Sequence, residues 1–238
     1  MSFLLNSYRH ASAAPAFGGA SRHWDTADGD QYGIISSPPS ELDLVGGDFS
    51  VAFWFKDQDG NGFPRIIEFN NSNSNVWSVY RITSTAMAMR VDEAGSLVLR
   101  TRHTDNLLST PNGTTWHHVI ATFESTTPQI DFYIDNGSAA STTGDTANRG
   151  STSRVTFGIR TDLNNQTDGL IKVADLRVYN KLLSSQERTD IYNGTHVSDS
   201  LVGWWFLDTD DMDDYSGNDN HISQSSTAVA FSADGPFD

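Results

Sequence analysis

The sequence predicts an all-β protein, a β-sandwich of two antiparallel sheets with one short helix. The first observation is that apolar and polar residues alternate over short segments, most clearly at 116–123 and 130–134, as in half-buried strands. The second is the turn chemistry between such segments, as in Asp135-Asn136-Gly137, which directly follows one of them. The third is that helix signals converge at a single place, near residue 185.

The strand pattern recurs along most of the chain. In chain order, the predicted strands are residues 32–36, 49–56, 65–70, 76–83, 86–91, 96–101, 116–124, 130–134, 154–159, 170–179 and 202–207. The predicted helix covers 186–192, because Ser184 and Glu187 form a capping box before it and Gly194 ends it.

Two regions divide the chain. Residues 22–238 form the predicted sandwich, and residues 1–21 form a predicted N-terminal arm that is rich in small residues. Apolar side chains near the start of an otherwise hydrophilic chain favour docking on a partner. The candidate docking residues are Phe3, Leu4, Leu5, Tyr8 and Phe17.

Composition excludes several classes of protein. The formal net charge of −15 argues against a nucleic-acid groove, which needs clustered lysine and arginine, and against binding to anionic membranes. The chain has no cysteine, so one common sign of an exported protein is missing. No segment reaches the apolar length of a membrane span, and residues 1–10 lack the apolar core of a signal peptide.

Four pieces of sequence resemble one known family, in the family's own order. They are DGDQYGI with FSVAFWF at 28–34 and 49–55, TWHHVIATF with IDFYIDNG at 115–123 and 130–137, ADLRVYNKLLSSQE at 174–187, and LVGWWFLD with DYSGNDNH at 201–208 and 214–221. Together they resemble laminin-G-like domains, the concanavalin A-like lectin/glucanase jelly rolls, over about residues 22–225. The resemblance implies a jelly-roll sandwich that acts mostly by binding, although some branches hydrolyse β-glucans.

The hydrolytic branch carries two glutamates in an E-x-D-x-x-E strand, as nucleophile and acid/base. Here Glu41 and Asp43 begin that pattern, but Gly46 stands where the second glutamate should be. We therefore expect Glu41 and Asp43 to be surface groups and the protein not to be an enzyme. An atypical glycoside hydrolase remains the alternative.

Two acidic segments are candidates for a hard cation such as calcium, the cofactor that the sequence suggests. Residues 57–62 with Glu68 satisfy the D-x-D-x-N-G-x5-E loop pattern, although strand-like flanks also fit a plain hairpin. The acidic run at 208–214 fits either a solvated loop or a calcium loop, and the family resemblance favours an ion at such an edge. The candidate ligands are Asp28, Asp30, Asp57, Asp59, Asn61, Asp208, Asp210 and Asp214.

Aromatic residues beside amides are candidates for glycan binding, because sugar faces stack on aromatic rings and amides orient hydroxyl groups. The candidates are Trp24, Asn71, Asn73, Trp77 and Tyr80. His117 and His118 adjoin one another in a strand, so they point to opposite faces and are expected to be structural.

The function that fits these observations is a binding and structural module on the surface of a virion, either a capsid decoration or a fibre protein. Bacteriophage structural proteins often carry jelly-roll modules behind a short docking arm. We expect assembly in the host cytoplasm, a homo-oligomer, a protein shell as partner and a cell-surface glycan as ligand. A free carbohydrate-binding or adhesion domain is the main alternative.

Overall fold

The structure is a computed structural model, and it describes residues 21–25, 32–44, 47–57, 64–70, 76–83, 86–93, 96–103, 115–144, 152–159, 170–207, 212–224, 230–232 and 234–236. The described elements are β1 (Ser21–Asp25), β2 (Gly33–Ile35), β3 (Phe49–Asp57), β4 (Arg65–Asn70), β5 (Val76–Thr83), β6 (Ala86–Glu93), β7 (Ser96–His103), β8 (His117–Glu124), β9 (Gln129–Ile134), β10 (Ala140–Thr143), β11 (Arg154–Phe157), β12 (Leu170–Tyr179), α1 (Ser185–Tyr192), β13 (Leu201–Trp205), β14 (Ser223–Gln224) and β15 (Ala230–Ser232). The predicted docking arm at 1–21 lies outside these residues except for Ser21, the first residue of β1.

Two antiparallel sheets form the sandwich, which confirms the predicted fold class. The first sheet has eight strands in the order β10-β9-β8-β3-β12-β1-β15, and β13 pairs with β12 as well. The second has seven strands in the order β14-β2-β11-β4-β5-β6-β7. The long hairpins β4–β5–β6–β7 and β8–β9 follow the chain directly, whereas β3 and β12 pair across more than a hundred residues.

Alternation along the strands places the core between the sheets. On β3, Val51, Phe53 and Phe55 are fully buried members of the central core. The second sheet faces them with residues such as Phe157, whose ring meets that of Trp205 edge-on at 5.1 Å between centroids. Burying an aromatic or aliphatic side chain contributes about 1.5–3 kcal/mol. The alternation of apolar and polar residues in the sequence therefore explains which face of each sheet packs against the other sheet.

The outer face of the first sheet is partly covered by α1. This helix begins as predicted, because the Glu187 amide donates to Ser184 Oγ and the Ser184 amide donates back to Glu187 Oε2. Ile191 is buried against Ala52 on β3 in a second hydrophobic cluster. The helix therefore covers part of the outer face of the first sheet. The candidate site described below lies on another part of that face.

The β9–β10 turn is the Asp-Asn-Gly turn expected from the sequence. Asp135 and Asn136 have φ of 49° and 56°, and the Gly137 amide donates to the Ile134 carbonyl at 2.8 Å. Two consecutive left-handed residues match the right-handed twist of the flanking strands. In the part of the chain that is described, no helix has the length and apolar character needed to cross a membrane.

Candidate functional site

Two lysines face each other on the outer face of the first sheet, at the end that α1 does not cover. Lys56 on β3 and Lys172 on β12 are cross-strand partners. Their chain neighbours Phe55 and Val173 are buried in the core, so alternation turns both lysines outward. Like charges directly opposite one another destabilise a sheet, so this pair requires an anion.

The carboxylate of Asp234 supplies that anion. Its Oδ2 accepts hydrogen bonds from Lys56 Nζ at 2.9 Å and from Lys172 Nζ at 2.6 Å. Its Oδ1 accepts from the indole Nε1 of Trp116 at 3.2 Å. We call Lys56, Lys172 and Trp116 the lysine-pair site. Three donors from separate segments of chain converge there on one carboxylate.

The electrostatics of the lysine-pair site favour a charged carboxylate. Partial burial alone would raise the pKa of Asp234, but hydrogen bonds from Lys172, Lys56 and Trp116 outweigh it and lower the pKa to about 2. The ammonium of Lys56 also lies 5.9 Å from the centre of the Trp116 ring. The lysine side chains are only 10% and 11% exposed, against 35% for Asp234. The arrangement can bind an anion.

Three aromatic rings pack together where α1 meets the first sheet. The Trp54 ring lies 5.0 Å from the His118 ring and 5.8 Å from that of Tyr192. Burial lowers the pKa of His118 to about 4, so the ring is neutral at pH 7. His117, on the other face of β8, contacts Asp135 through Nδ1 at 2.7 Å. The two histidines therefore point apart, as predicted, and cannot hold one ion together.

The predicted glycan platform is not an exposed surface. Trp77 is 3% exposed, and its ring stacks on that of Phe69 with centroids 3.9 Å apart. Tyr80 is 4% exposed, and the guanidinium of Arg65 lies 4.1 Å from its ring centre. Neither ring has an open face for a sugar in this structure, and Trp77 and Tyr80 stay predictions as glycan contacts. Alternation along β5 does not reveal that both of its faces are covered.

The other glycan candidates are described only in part. Asn71 and Asn73 lie outside the described residues. The backbone of Trp24 is in β1, opposite Ile171 of β12, and the preceding residue, His23, pairs in register with Lys172.

Asp214 has a structural role in its loop. Its Oδ1 accepts from the amides of Trp204 and Ser216, and its Oδ2 accepts from Ser216 Oγ and the Asn220 amide, over 2.7–2.9 Å. Two carboxylate oxygens offer about four acceptor positions, and all four are used. As a calcium ligand, Asp214 would have to give up at least one of these bonds.

The remaining metal candidates form no site within the described residues. Asp57 is buried and forms an ion pair with Arg81. No group of three potential ligands is present in the described part of the chain. Asp28, Asp30, Asp59, Asn61, Asp208 and Asp210 lie outside it, so calcium stays a prediction for those residues.

The carboxylates of the glucanase-like pattern do not lie on a strand. Glu41 is exposed on a short 3-10 turn, Ser40–Leu42, and Asp43 accepts a hydrogen bond from the Thr152 amide at 2.9 Å. Glu41 is a surface group, as expected, whereas Asp43 is half-buried. Glu68 and Asp92, on strands of the second sheet, are each held by an arginine: Arg65 at 3.2 Å and Arg90 at 2.9 Å.

Sequence reasoning missed the lysine-pair site. Its residues are far apart in the chain, with Asp234 lying 178 positions from Lys56 and 62 from Lys172. One signal was present. Each lysine interrupts an apolar run, in FWFKD and in LIKVAD, at a position where alternation leaves it on the outer face.

The fold is a β-sandwich of two antiparallel sheets. Residues 27–187 match the Laminin_G_3 model, described as the concanavalin A-like lectin/glucanases superfamily. This match covers more than half of the chain, so the protein belongs to that family. Comparison with curated proteins gives no match.

Similar solved structures include binding domains of botulinum neurotoxins. The serotype C1 binding domain is 15% identical with a TM-score of 0.59, over 78% of this chain and 45% of that one. The receptor-binding domain of mosaic serotype C/D is 17% identical with a TM-score of 0.58, over 84% and 45%. A third structure comes from work on botulinum neurotoxin type C, whose cell entry depends on interaction with two ganglioside molecules. It is 16% identical with a TM-score of 0.54, over 69% of this chain and 40% of that one. The chain spans less than half of each, and identity this low shows a shared fold alone.

Proposed function

We propose that this protein is a non-enzymatic binding module that recognises a glycan through the outer face of its first sheet, at the lysine-pair site. One observation carries the proposal: Lys56, Lys172 and Trp116 converge on a single carboxylate from three segments of chain. Ammonium groups and an indole N–H, beside the face of an aromatic ring, are groups that orient and stack a polar ligand.

The comparisons support a binding role. The family takes its name from lectins as well as glucanases. One similar structure belongs to a toxin whose cell entry depends on interaction with two ganglioside molecules. Those toxin domains are more than twice as long as the part shared with this chain. Ganglioside binding is therefore a statement about the toxin, and for this protein it supports only the choice of a glycan as ligand class.

Hydrolysis is disfavoured by the setting of the described carboxylates. A glycosidase needs two carboxyl groups that flank the scissile bond and are able to exchange protons or attack carbon. Glu68 and Asp92 each accept a hydrogen bond from an arginine instead. Glu41 is on an exposed turn, without the strand that would place a second glutamate beside it. An atypical hydrolase remains the competing proposal in the enzyme class.

The proposed setting is the surface of a virion, as a capsid decoration or fibre protein that assembles as a homo-oligomer. The apolar N-terminal residues support it, because they suit docking on a protein shell. Deleting residues 2–17 should abolish incorporation into particles and leave the melting temperature of the domain nearly unchanged. Particles that still carry the truncated protein at full occupancy would contradict this part of the proposal, and a free adhesion domain would then replace it.

A glycan array tests the binding role. We expect the labelled protein to bind a subset of glycans, and the double variant Lys56→Gln with Lys172→Gln to lose that binding at least tenfold, about 1.4 kcal/mol. Lys181→Gln is the matched control, because Lys181 also bonds acidic side chains, Glu187 and Asp199, but lies away from the site. Release of reducing ends from a bound glycan, lost in Glu68→Gln, would support the hydrolase instead.

A further inference from the structure

The lysine-pair site is filled by the chain's own carboxylate. Asp234 follows β15, a strand of three residues that pairs only with β1 among the described strands. Short edge strands open at low free-energy cost compared with the central strands of a sheet. The segment that carries Asp234 can therefore leave the site without disturbing β3 and β12, which hold the two lysines at the centre of the sheet.

We propose that the lysine-pair site binds the carboxylate of an acidic saccharide, and that Asp234 occupies the site in the free protein as an internal substitute that the ligand displaces. The two oxygens of Asp234 stand in for those of the ligand. The inference rests on the proposed function, and it adds the class of the ligand and the way the site is kept closed.

A short saccharide with few carboxylates fits the site better than a long acidic polymer. The net charge of −15 repels ligands that carry many negative charges. At physiological salt this repulsion is screened beyond about 8 Å, so a single carboxylate reaching two ammonium groups is attracted locally. The half-buried ring of Trp116 lies beside the carboxylate, where the apolar face of a sugar could stack.

The internal carboxylate weakens the apparent affinity for such a ligand. When only a fraction of molecules has an open site, the observed dissociation constant is the intrinsic one divided by that fraction. Asp234→Asn keeps the shape of the side chain and removes its charge. Both ammonium groups then lack their anion, so residue 234 is held less tightly and the site is more often open, while it retains its attraction for a carboxylate.

Calorimetric titration with trigalacturonate as the probe tests the inference. We expect Asp234→Asn to bind it about tenfold tighter than the unchanged protein, as for a site that is open in about a tenth of molecules. The matched control is Asp199→Asn, which removes a carboxylate bound to Lys181 elsewhere on the surface and should bind like the unchanged protein. The fully methyl-esterified trimer, which has no charge, should bind no variant measurably.

Three results would overturn the inference: equal affinity of Asp234→Asn and the unchanged protein, equal binding of the methyl ester, or tighter binding of triaspartate than of trigalacturonate. The last would reassign the site to acidic peptides. If the array shows glycan binding but Asp234→Asn changes nothing, the proposed function stands and only this inference fails.

A second measurement on the unchanged protein does not depend on any variant folding. Saturating trigalacturonate should move the carbon-13 resonance of the Asp234 carboxylate to the position of an exposed aspartate, whereas the Asp214 carboxylate should not move. An Asp234 resonance that stays in place while ligand binds would show that the ligand binds elsewhere.

Discussion

Arg177 and Asp175 form a bidentate ion pair on the outer face of the first sheet, with Nε–Oδ1 and Nη2–Oδ2 distances of 2.8 Å each. Both side chains are at most 3% exposed. Asp175 lies at an irregularity of β12, where its φ of 50° places it in the left-handed region. The Trp204 indole also donates to Asp175 Oδ1, at 2.7 Å. The pair thus fixes the strand between the lysine-pair site and the cluster under α1.

Replacing Arg177 with methionine should destabilise the fold strongly. The substitution keeps much of the apolar stem but leaves the Asp175 carboxylate buried without its cation, which costs about 3–5 kcal/mol. Urea unfolding followed by tryptophan fluorescence measures the loss. Arg188→Met is the control, because Arg188 lies 4.1 Å from the Tyr133 ring centre at a half-exposed position and should cost less than about 1 kcal/mol. Equal effects of the two substitutions would contradict the structural role of the pair.

Stability should fall as the pH decreases from about 6.5 to 4 because of His118. Burial and Arg177 lower the pKa of this side chain to about 4, against the opposing effects of Asp175 and Asp135, whereas the unfolded chain titrates near 6.5. Between pH 6.5 and 4, His118 is protonated in the unfolded state but neutral in the folded state, so the free energy of unfolding falls as the pH falls. The stabilising contribution of neutral His118 is fully present above pH 6.5. One pKa unit corresponds to about 1.4 kcal/mol, so about 3 kcal/mol is lost across this window.

Urea titrations at several pH values check this dependence, and His118→Phe should flatten it while retaining the contact with Trp54. Nitrogen-15 spectra of the ring give an independent measurement. A His118 ring that titrates near pH 6.5 in the folded protein would show that solvent reaches it.

Asp214→Asn should destabilise the protein by about 3 kcal/mol, with calcium and with chelator alike. Each Asp214 oxygen now accepts two hydrogen bonds, and in the variant an NH₂ group, which cannot accept them, would replace one of these oxygens. The donors that lose their acceptor stay buried, and each buried unsatisfied donor costs about 1–3 kcal/mol. Asp213→Asn is the control, because Asp213 is exposed and its carboxylate lies 2.9 Å from the side chain of His221 on the surface of the same loop. Destabilisation that appears only when calcium is present would make Asp214 an ion ligand and support the calcium prediction for this loop.

Local patterns in the sequence predicted most of the fold. All eleven predicted strands have a counterpart among β2–β9 and β11–β13, because alternation and turn residues act over a few neighbours. The capping box at Ser184 predicted α1 for the same reason. The strands that were missed, β1, β10, β14 and β15, are two to five residues long and are mostly at or near sheet edges. Such strands are specified by the neighbour they pair with, and their own sequences carry little alternation.

The candidate site could not be predicted in the same way. Asp234 meets Lys56 and Lys172 only after β3 and β12 have paired and β15 has joined β1. Spacing along one sequence carries no information on such convergence. The burial of Trp77 could not be predicted for a related reason, since a polar loop beside an aromatic residue does not reveal that Phe49 and Phe69 cover its ring.

The most direct test of the central claim is to follow the indole N–H resonances of the six tryptophans while a glycan selected from the array is added. Trp116 Nε1 donates to Asp234 at the lysine-pair site, so its resonance should shift with the ligand concentration and saturate at the measured dissociation constant. The resonance of Trp205, which is buried in the core and bonded to the Asn220 carbonyl, should stay in place. Saturable binding that leaves the Trp116 resonance unchanged would place the ligand elsewhere and contradict the account.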